Sequence, residues 1–208
     1  KMPLVEIIPG EKSGDAALAA ALDYVGVIKK TPIVVKDARG FYTNRVVPPY
    51  LNEAMLMVKE GVTPALIENA AKSLGMPVGP LALVDETSLD LGKRIMEATK
   101  KELGKDYKPT GVEDLLGVMV DKLGRLGRKS GGGFYDYPAD GKKTLWRGVS
   151  EYFPPAKSQP SLDDARERLL YAQLIPAAQT FADGIVSDPQ SADLGAIFGW
   201  GFAPWTGG

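Results

Sequence analysis

The spacing of hydrophobic positions changes near residue 40. Two short runs rich in β-branched residues, 4–8 and 33–35, are each ended by turn residues and predict strands. Between them, residues 15–30 are rich in Ala and Leu, begin with an acidic residue and end with basic ones, which predicts a helix. Two strands and one helix are too few to form an independent sheet.

From Gly40 onward the pattern is typical of helices. Asn44 stands at the N-cap position of a helix predicted over residues 45–59. Further helical patterning is predicted at residues 64–73, 81–103 and 114–123, and again from 162 onward. Residues 138–161 are rich in Pro, Gly and Lys without an apolar period, so this segment predicts a linker.

The stretch after this segment repeats the stretch before it. Matched positions lie about 123 residues apart: Arg45 with Arg168, Leu51 with Leu174, Ala54 with Ala177, Gly61 with Gly184, Gly75 with Gly199 and Pro80 with Pro204. The matched Gly and Pro residues fall at predicted helix ends, where backbone geometry restricts the choice of residue. We therefore predict a duplicated helical module whose two copies superpose and whose second copy is incomplete.

Composition excludes several kinds of chemistry. The net charge of −1 favours neither nucleic acid nor an anionic membrane, and no apolar run is long enough to span a bilayer. The absence of cysteine removes disulfides and thiolate sites, and the absence of histidine removes the commonest general base. No metal site is predicted. Because the chain enters an apolar run at its second residue and stops abruptly, we expect both ends to be cuts through a longer protein.

Four ordered segments match the motifs of one enzyme family. They are residues 2–8 (MPLVEII), 37–45 (DARGFYTNR, for D-x-x-G-F-x-x-N-R), 75–80 (GMPVGP, followed by Asp85) and 127–135 (GRKSGGGFY, for G-x-K-x-G-x-G-F-Y). Together they resemble 3-hydroxyacyl-CoA dehydrogenases. The second helical copy resembles the extra copy in multifunctional fatty-acid oxidation proteins, which join an enoyl-CoA hydratase to the dehydrogenase. Thr206 departs from that pattern, because a histidine is expected there.

The resemblance implies a mainly α fold. It consists of tandem helical modules of the 6-phosphogluconate dehydrogenase C-terminal-like type, preceded by a short strand–helix–strand remnant of a Rossmann domain. We expect residues 1–38 to be the remnant of the NAD-binding domain and residues 39–137 the first helical module. The linker is then residues 138–161, and residues 162–208 form the second, truncated module.

The resemblance also implies a reaction and its residues. The family oxidises the 3-hydroxyl of an acyl-CoA, with a hydride passing to NAD and a proton to a histidine base. Glu6 matches the carboxylate that orients this histidine, and Asn44 matches a contact to the C3 oxygen of the substrate. Without the motifs, Glu6 fits equally well the solvent-facing position of an edge strand, and Asn44 fits a helix cap.

The histidine and the G-x-G-x-x-G nucleotide fingerprint are absent from these 208 residues. NAD is therefore expected as a cofactor of the full-length parent, and no cofactor is expected in this fragment, which should be inactive alone. Acyl-CoA is the expected substrate of the parent. We expect a homodimer, or packing on other domains of the same polypeptide, in the bacterial cytoplasm, or in mitochondria or peroxisomes if the source is eukaryotic.

Arg125, Arg128 and Lys129 lie in one predicted loop. They are weaker candidates for contacts to the CoA phosphates, and a solvated loop is the simpler interpretation. The glycines at 131–133 indicate a flexible turn rather than a nucleotide fingerprint, because no helix is predicted to follow them.

Two alternatives differ in kind from this enzyme. The chain fits a non-catalytic helical assembly module that binds only a neighbouring domain or a second copy of itself. It also fits the helical domain of another dehydrogenase, such as the 6-phosphogluconate or hydroxyisobutyrate type. Those enzymes place a lysine at the centre of the helical domain, whereas Asn44 stands at the motif helix here.

Overall fold

The structure is a computed structural model that describes residues 2–208, and 58% of it is helical. The helices are α1 (Asp15–Val27), α2 (Thr43–Lys59), α3 (Pro64–Leu74), α4 (Pro80–Thr87), α5 (Leu89–Leu103), α6 (Glu113–Leu116), α7 (Val149–Tyr152), α8 (Leu162–Ala182) and α9 (Pro189–Trp200). The strands are β1 (Leu4–Ile7), β2 (Thr31–Val34), β3 (Tyr135–Asp136) and β4 (Thr144–Leu145). The mainly α architecture after a strand–helix–strand piece is thus confirmed.

The chain divides into two compact units. Unit 1 comprises the chain up to Tyr50, together with Ser73–Pro77 and Arg168–Gly208, and unit 2 comprises Leu51–Lys72 and Val78–Glu167. Each unit is assembled from segments that are separated in sequence. These units differ from the predicted consecutive modules. That the modules arose as repeats along the sequence stays a prediction.

Unit 1 is organised around the parallel pair β1–β2, in which Glu6 lies opposite Ile33. Its buried hydrophobic core brings together residues from both ends of the chain: Leu4, Ile33, Val35, Tyr42, Val46, Ile185 and Val186. Helix α9 packs closely on this core. A Cβ added at Gly195 would lie 2.7 Å from Cε1 of Tyr42, so only glycine allows α9 to approach the Tyr42 ring.

Unit 2 contains the segment predicted as a linker. Residues 138–161 hold β4, which pairs antiparallel with β3, and the short helix α7. Beyond α7, the N–H of Ala156 donates to the carbonyl of Gly61 at 2.9 Å, and the Gln159 amide donates to the same carbonyl at 2.8 Å. The Pro and Gly residues of this segment therefore mark turns in an ordered connection, because its backbone is tied to the end of α2.

The predicted repeat is visible at two helix ends and fails at a third. At Gly61 and Gly184, with φ of +86° and +64°, each glycine N–H donates to the carbonyl three residues earlier, and the next N–H to the carbonyl five residues before it. This is the same cap in both copies. Gly199, matched to Gly75, lies within α9 instead, and Gly201 ends that helix with φ +75°. Superposition of the two copies stays a prediction.

Candidate functional site

Glu6, on strand β1, caps the start of helix α2, which is distant from it in sequence. The N–H groups of Tyr42 and Thr43 donate to Oε1 of Glu6 at 2.8 and 3.3 Å, and the Thr43 hydroxyl donates to Oε2. The first N–H groups of a helix have no partner within the helix, and its positive end favours a carboxylate. Glu6 is only partly buried. It is therefore a fixed carboxylate rather than a solvent-facing residue of an edge strand.

The prediction that Asn44 is the N-cap is wrong. Helix α2 begins one residue earlier, at Thr43, and its first N–H groups are satisfied by Glu6. The Asn44 side chain is exposed, and no hydrogen bond joins its amide to another of the residues 2–208 that the structure describes. Glu6 and Asn44 thus lie at the same helix end. Glu6 is the cap, and the Asn44 amide is exposed to solvent. Their catalytic roles stay predictions.

The surroundings of this helix end are apolar and slightly acidic. Burial, with the nearby charges of Asp193 and Glu6 acting in the same direction, raises the pKa of Tyr42 to about 12. The phenol therefore stays neutral at physiological pH. Arg45 donates through Nη1 to Asp183 at 2.8 Å, an exposed ion pair of the kind that contributes little stability.

Arg125 is built into the fold of unit 2. Its Nε donates to the carbonyl of Gly133 at 2.8 Å, and its Nη2 donates to the carbonyl of Tyr135 at 3.0 Å and to Asp136 at 2.6 Å. The guanidinium also lies 4.1 Å from the centre of the Trp146 ring. These contacts engage Nε and Nη2 of Arg125 within the fold, and its predicted contact to CoA stays a prediction.

The other two basic residues of the loop are paired with acids. Nη1 of Arg128 lies 2.9 Å from Oε1 of Glu86, and Nζ of Lys129 lies 2.5 Å from Oδ1 of Asp90. Both basic side chains are substantially exposed, so an incoming phosphate would compete with a neighbouring carboxylate for each of them. Their role in binding CoA stays a prediction.

Two buried carboxylates of unit 2, Glu68 and Asp85, hold its backbone together. Oε1 of Glu68, which is 2% exposed, accepts from the N–H of Leu81 at 2.8 Å, and its Oε2 accepts from the Tyr135 hydroxyl at 2.7 Å. Asp85 accepts from the N–H groups of Phe134 and Tyr135 at 2.8 and 2.9 Å. Glu68 carries no sequence signal beyond its place on an amphipathic helix.

Asp85, which follows the GMPVGP motif, lies in the last turn of α4. Burial raises its pKa to about 6, although its backbone N–H donors, Tyr137 and Arg125 act in the opposite direction. A Cβ at Gly133 would lie 2.0 Å from Oδ1 of Asp85, which requires glycine there. The glycine run is therefore an ordered turn that closes around a carboxylate.

A cavity of unit 1 lies between α8 and α9 and does not coincide with the predicted site. It measures about 280 Å³, and its walls are formed by α8 and α9: Gln173, Leu174, Ala177, Phe181, Ala192, Asp193, Ala196 and Trp200 contribute to them. Tyr42 also lines it, but neither Glu6 nor Asn44 does. The cavity therefore reaches the start of α2 only through Tyr42.

Neither a cluster of metal ligands nor a nucleotide fingerprint occurs among the described residues. Among residues 2–208, no group of three or more His, Cys, Asp or Glu side chains is placed to hold a metal ion. The turn between β1 and α1 contains Gly10 and Gly14 but not the G-x-G-x-x-G pattern that lets a backbone approach a pyrophosphate. Within that same range, no helix is long and apolar enough to cross a membrane.

The chain is similar to bacterial proteins named fatty acid oxidation complex subunit alpha. It is 40% identical over 212 residues to the protein from Shewanella loihica and 41% identical over 211 residues to that from Vibrio vulnificus. Both alignments cover 100% of this chain. The chain spans 29% of the length of each of these curated relatives.

Solved structures share the fold. A 3-hydroxybutyryl-CoA dehydrogenase from Escherichia coli superposes with a TM-score of 0.70 over 97% of this chain and 58% of that one, at 18% identity. An (S)-3-hydroxybutyryl-CoA dehydrogenase from Ralstonia eutropha superposes with a TM-score of 0.57 over 66% of this chain and 48% of that one, at 38% identity.

Two family profiles match consecutive parts of the chain. Residues 1–38 match the NAD binding domain of 3-hydroxyacyl-CoA dehydrogenase, and residues 40–137 match its C-terminal domain. Together they cover more than half of the 208 residues. The alternative of a hydroxyisobutyrate-type helical domain is thereby excluded. The chain belongs to the 3-hydroxyacyl-CoA dehydrogenase family.

Proposed function

We propose that this chain forms the helical, substrate-side part of an NAD-dependent 3-hydroxyacyl-CoA dehydrogenase of fatty-acid β-oxidation. One observation carries the proposal. The Glu6 carboxylate is held by three donors at the start of α2, immediately before the exposed amide of Asn44. In a member of this family, that arrangement combines a fixed negative charge with a free hydrogen-bond donor.

Glu6 is proposed to orient the general base. A histidine that accepts the substrate proton requires a carboxylate to fix its tautomer and to stabilise the imidazolium that forms. The donors from Tyr42 and Thr43 hold both oxygens of Glu6 in place, and its partial exposure leaves a side open to an imidazole N–H. Glu6 thus acts through the base and is a positioning residue.

Asn44 is proposed to contact the C3 oxygen of the substrate. Its side chain stands in the first turn of α2, where the helix end favours negative charge that develops on an oxygen. Because the amide is not engaged as a cap, its N–H is available to a substrate. The proposed contact therefore requires no rearrangement of the helix.

The base and the NAD site are proposed to be supplied by residues other than these 208. The chain contains no histidine, and its β1–α1 turn does not fit the cofactor. When bound elsewhere, NAD supplies the acceptor for the hydride. We therefore propose that the 208 residues alone do not oxidise 3-hydroxyacyl-CoA.

The proposed partners are an acyl-CoA substrate and an apolar protein surface. Helix α8 exposes apolar side chains at Tyr171, Leu174, Ile175 and Phe181, which suits packing on a second copy or on another domain of a longer polypeptide. The relatives reported above come from bacteria, which supports the cytoplasm as the location.

A segment exchange tests the proposed function. The 208 residues replace the matching 29% of the Shewanella loihica subunit, and formation of NADH from a 3-hydroxyacyl-CoA is followed. We expect the exchanged protein to be active and the 208-residue chain alone to give no more NADH than a no-enzyme control. The unexchanged subunit is the positive control.

Two outcomes would contradict the proposal. A folded exchanged protein with no activity, beside an active unexchanged subunit, would show that this chain does not serve dehydrogenation. Production of NADH by the 208 residues alone would show that the base and the cofactor site lie within them.

A further inference from the structure

Thr43 has two different partners on the two branches of its side chain. Its hydroxyl donates to Oε2 of Glu6. Its methyl carbon, Cγ2, faces Gly199 of α9, where an added Cβ would lie only 2.6 Å away. Thr43 is 8% exposed, so neither branch is free in solvent.

This arrangement fixes the rotamer of Thr43. A threonine in a helix ordinarily divides between two χ1 rotamers. Here the methyl group fits against a residue that has no side chain, and the hydroxyl is thereby directed at the carboxylate. Gly199 lies within α9 and has an ordinary helical backbone, so its requirement for glycine comes from space and not from backbone angles.

The same face of α9 also contacts Tyr42, the residue immediately before α2. Gly195 lies one helical turn before Gly199, and a Cβ there would meet Cε1 of Tyr42 at 2.7 Å. The Tyr42 ring packs edge-on against Trp200, with 5.5 Å between ring centroids. Both residues that donate to Glu6, Tyr42 and Thr43, are therefore held from behind by α9.

We propose that α9, through Gly199 and Gly195, sets the orientation of the Glu6 carboxylate, and that Thr43 is the positioning residue that transmits it. The second helical copy is then a working part of the catalytic centre. Because it concerns the effect of Glu6 on turnover, this proposal rests on the proposed function. Its structural half, the link from Gly199 through Thr43 to Glu6, is independent of any activity.

The first test uses the 208-residue chain and measures amide exchange at Tyr42 and Thr43 by NMR. Gly199→Ala forces the Thr43 methyl to move, so exchange at both amides should rise by about tenfold or more. Thr43→Ser removes that methyl and keeps the hydroxyl, so the double variant Gly199→Ala/Thr43→Ser should recover much of the protection. Non-additivity of this kind is the signature of direct contact.

Two further variants separate packing from hydrogen bonding. Thr43→Val keeps the methyl and removes the hydroxyl. It should raise amide exchange at Tyr42 and Thr43 without changing any residue of α9. The link can therefore still be tested if Gly199→Ala does not fold. Gly26→Ala is the matched control. Gly26 is a helical glycine of unit 1 with no atom within 4 Å of an added Cβ, so exchange at Tyr42 and Thr43 should stay unchanged.

The second test measures turnover in the exchanged protein. Gly199→Ala and Thr43→Val should lower kcat by about ten- to a hundredfold with little change in KM, because misplacement of a catalytic group acts on the chemical step. Recovery in the Gly199→Ala/Thr43→Ser protein is expected, whereas a merely structural defect would not be repaired by a smaller residue at 43.

The outcomes separate this proposal from the proposed function. Unchanged amide exchange in both Gly199→Ala and Thr43→Val overturns the link, whatever the activity. Altered exchange with unchanged kcat in an active protein overturns the positioning role. If the exchanged protein is inactive with its native residues, the dehydrogenase proposal and the catalytic role of Thr43 fail together, and the exchange data decide the structural link alone.

Discussion

Two glutamates of this chain cap helices in the same way, and their surroundings differ. Glu6 accepts backbone N–H groups at the start of α2 in unit 1, and Glu68 accepts those of Leu81 and Ala82 at the start of α4 in unit 2. Each carboxylate also accepts a hydroxyl, from Thr43 and from Tyr135 respectively. The local chemistry is therefore nearly identical.

The two glutamates differ in how closely the surrounding protein encloses them. Glu68 is 2% exposed, and an added Cβ at Gly79 would lie 2.1 Å from its Oε2, so no further group can approach. Glu6 is partly exposed. Asn44, which follows the capped residue Thr43 directly, is exposed as well. A closed cap of this kind contributes only stability, whereas an open one retains the capacity to accept a further donor. Openness at a helix N-terminus is thus what distinguishes the candidate site.

The largest effect is expected for Glu6→Gln in the exchanged protein. The amide still accepts the backbone N–H groups but cannot stabilise an imidazolium, so kcat should fall by about a hundred- to ten-thousand-fold while NAD affinity stays nearly unchanged. Steady-state kinetics and a separate NAD titration measure the two quantities. Unchanged turnover would make Glu6 a cap like Glu68.

Asn44→Asp should lower kcat by about a hundred- to a thousandfold, because aspartate removes the N–H donor and adds charge beside the developing charge on oxygen. Since Asn44 is exposed and is not the cap, the free energy of unfolding should change by less than about 0.5 kcal/mol. Thermal unfolding and turnover are measured on the same protein. Loss of stability with turnover retained would return Asn44 to a structural role.

Glu68→Ala and Glu6→Ala form a matched pair for stability. Loss of Glu68 leaves two backbone N–H groups and the Tyr135 hydroxyl buried without partners, so unfolding of the 208-residue chain should become easier by about 3 kcal/mol. Loss of Glu6, which is open to water, should cost about 1 kcal/mol. Urea unfolding checks both, and equal costs would contradict the distinction between closed and open caps.

The smallest effect concerns pH and the second enclosed carboxylate. Burial raises the pKa of Asp85 from 3.8 to about 6, so the folded state holds this proton more tightly than the unfolded state. The resulting stability is complete below about pH 4 and is lost as pH rises through about 6, a change of roughly 2 to 3 kcal/mol. Because the chain has no histidine, no imidazole adds to the titration near pH 6.

The Asp85 prediction is checked by urea unfolding at pH 4, 5, 6 and 7, with Asp85→Asn as the comparison. The variant should lose the pH dependence between pH 4 and 6, and Glu6→Gln should retain it. An equal slope in Asp85→Asn would mean that another group titrates in this range.

Hydrophobic period and helix punctuation were enough to predict most of the fold. The alternation over residues 4–8 and the Gly or Pro at helix ends are local signals, and they predicted β1, α2 and the matched caps at Gly61 and Gly184. Gly199 was predicted at a helix end but lies within α9, because the signal it carries is not local. Its glycine reflects contact with Thr43, 156 positions away in sequence, and no local pattern reports such a contact.

In the candidate site, too, local signals were predicted correctly and contacts between distant residues were not. The motif identified Glu6, but its capping bonds join residues 36 and 37 positions apart, so the cap was assigned instead to Asn44, the residue type that commonly fills it. Arg125 shows the same limit of local signals. Its charge suggested a phosphate contact, but three backbone and side-chain acceptors engage it within the fold.

The interleaved course of the chain has a consequence for the order in which it folds during synthesis. Unit 2 is complete once Glu167 has been made, whereas the core of unit 1 pairs residues near Leu4 with Ile185 and Val186. Strands β1 and β2 can pair with each other early, but their core partners Ile185 and Val186 are translated only about 150 residues after β2. We expect unit 2 to form first on the ribosome, and the start of α2 to become ordered only after α9 emerges.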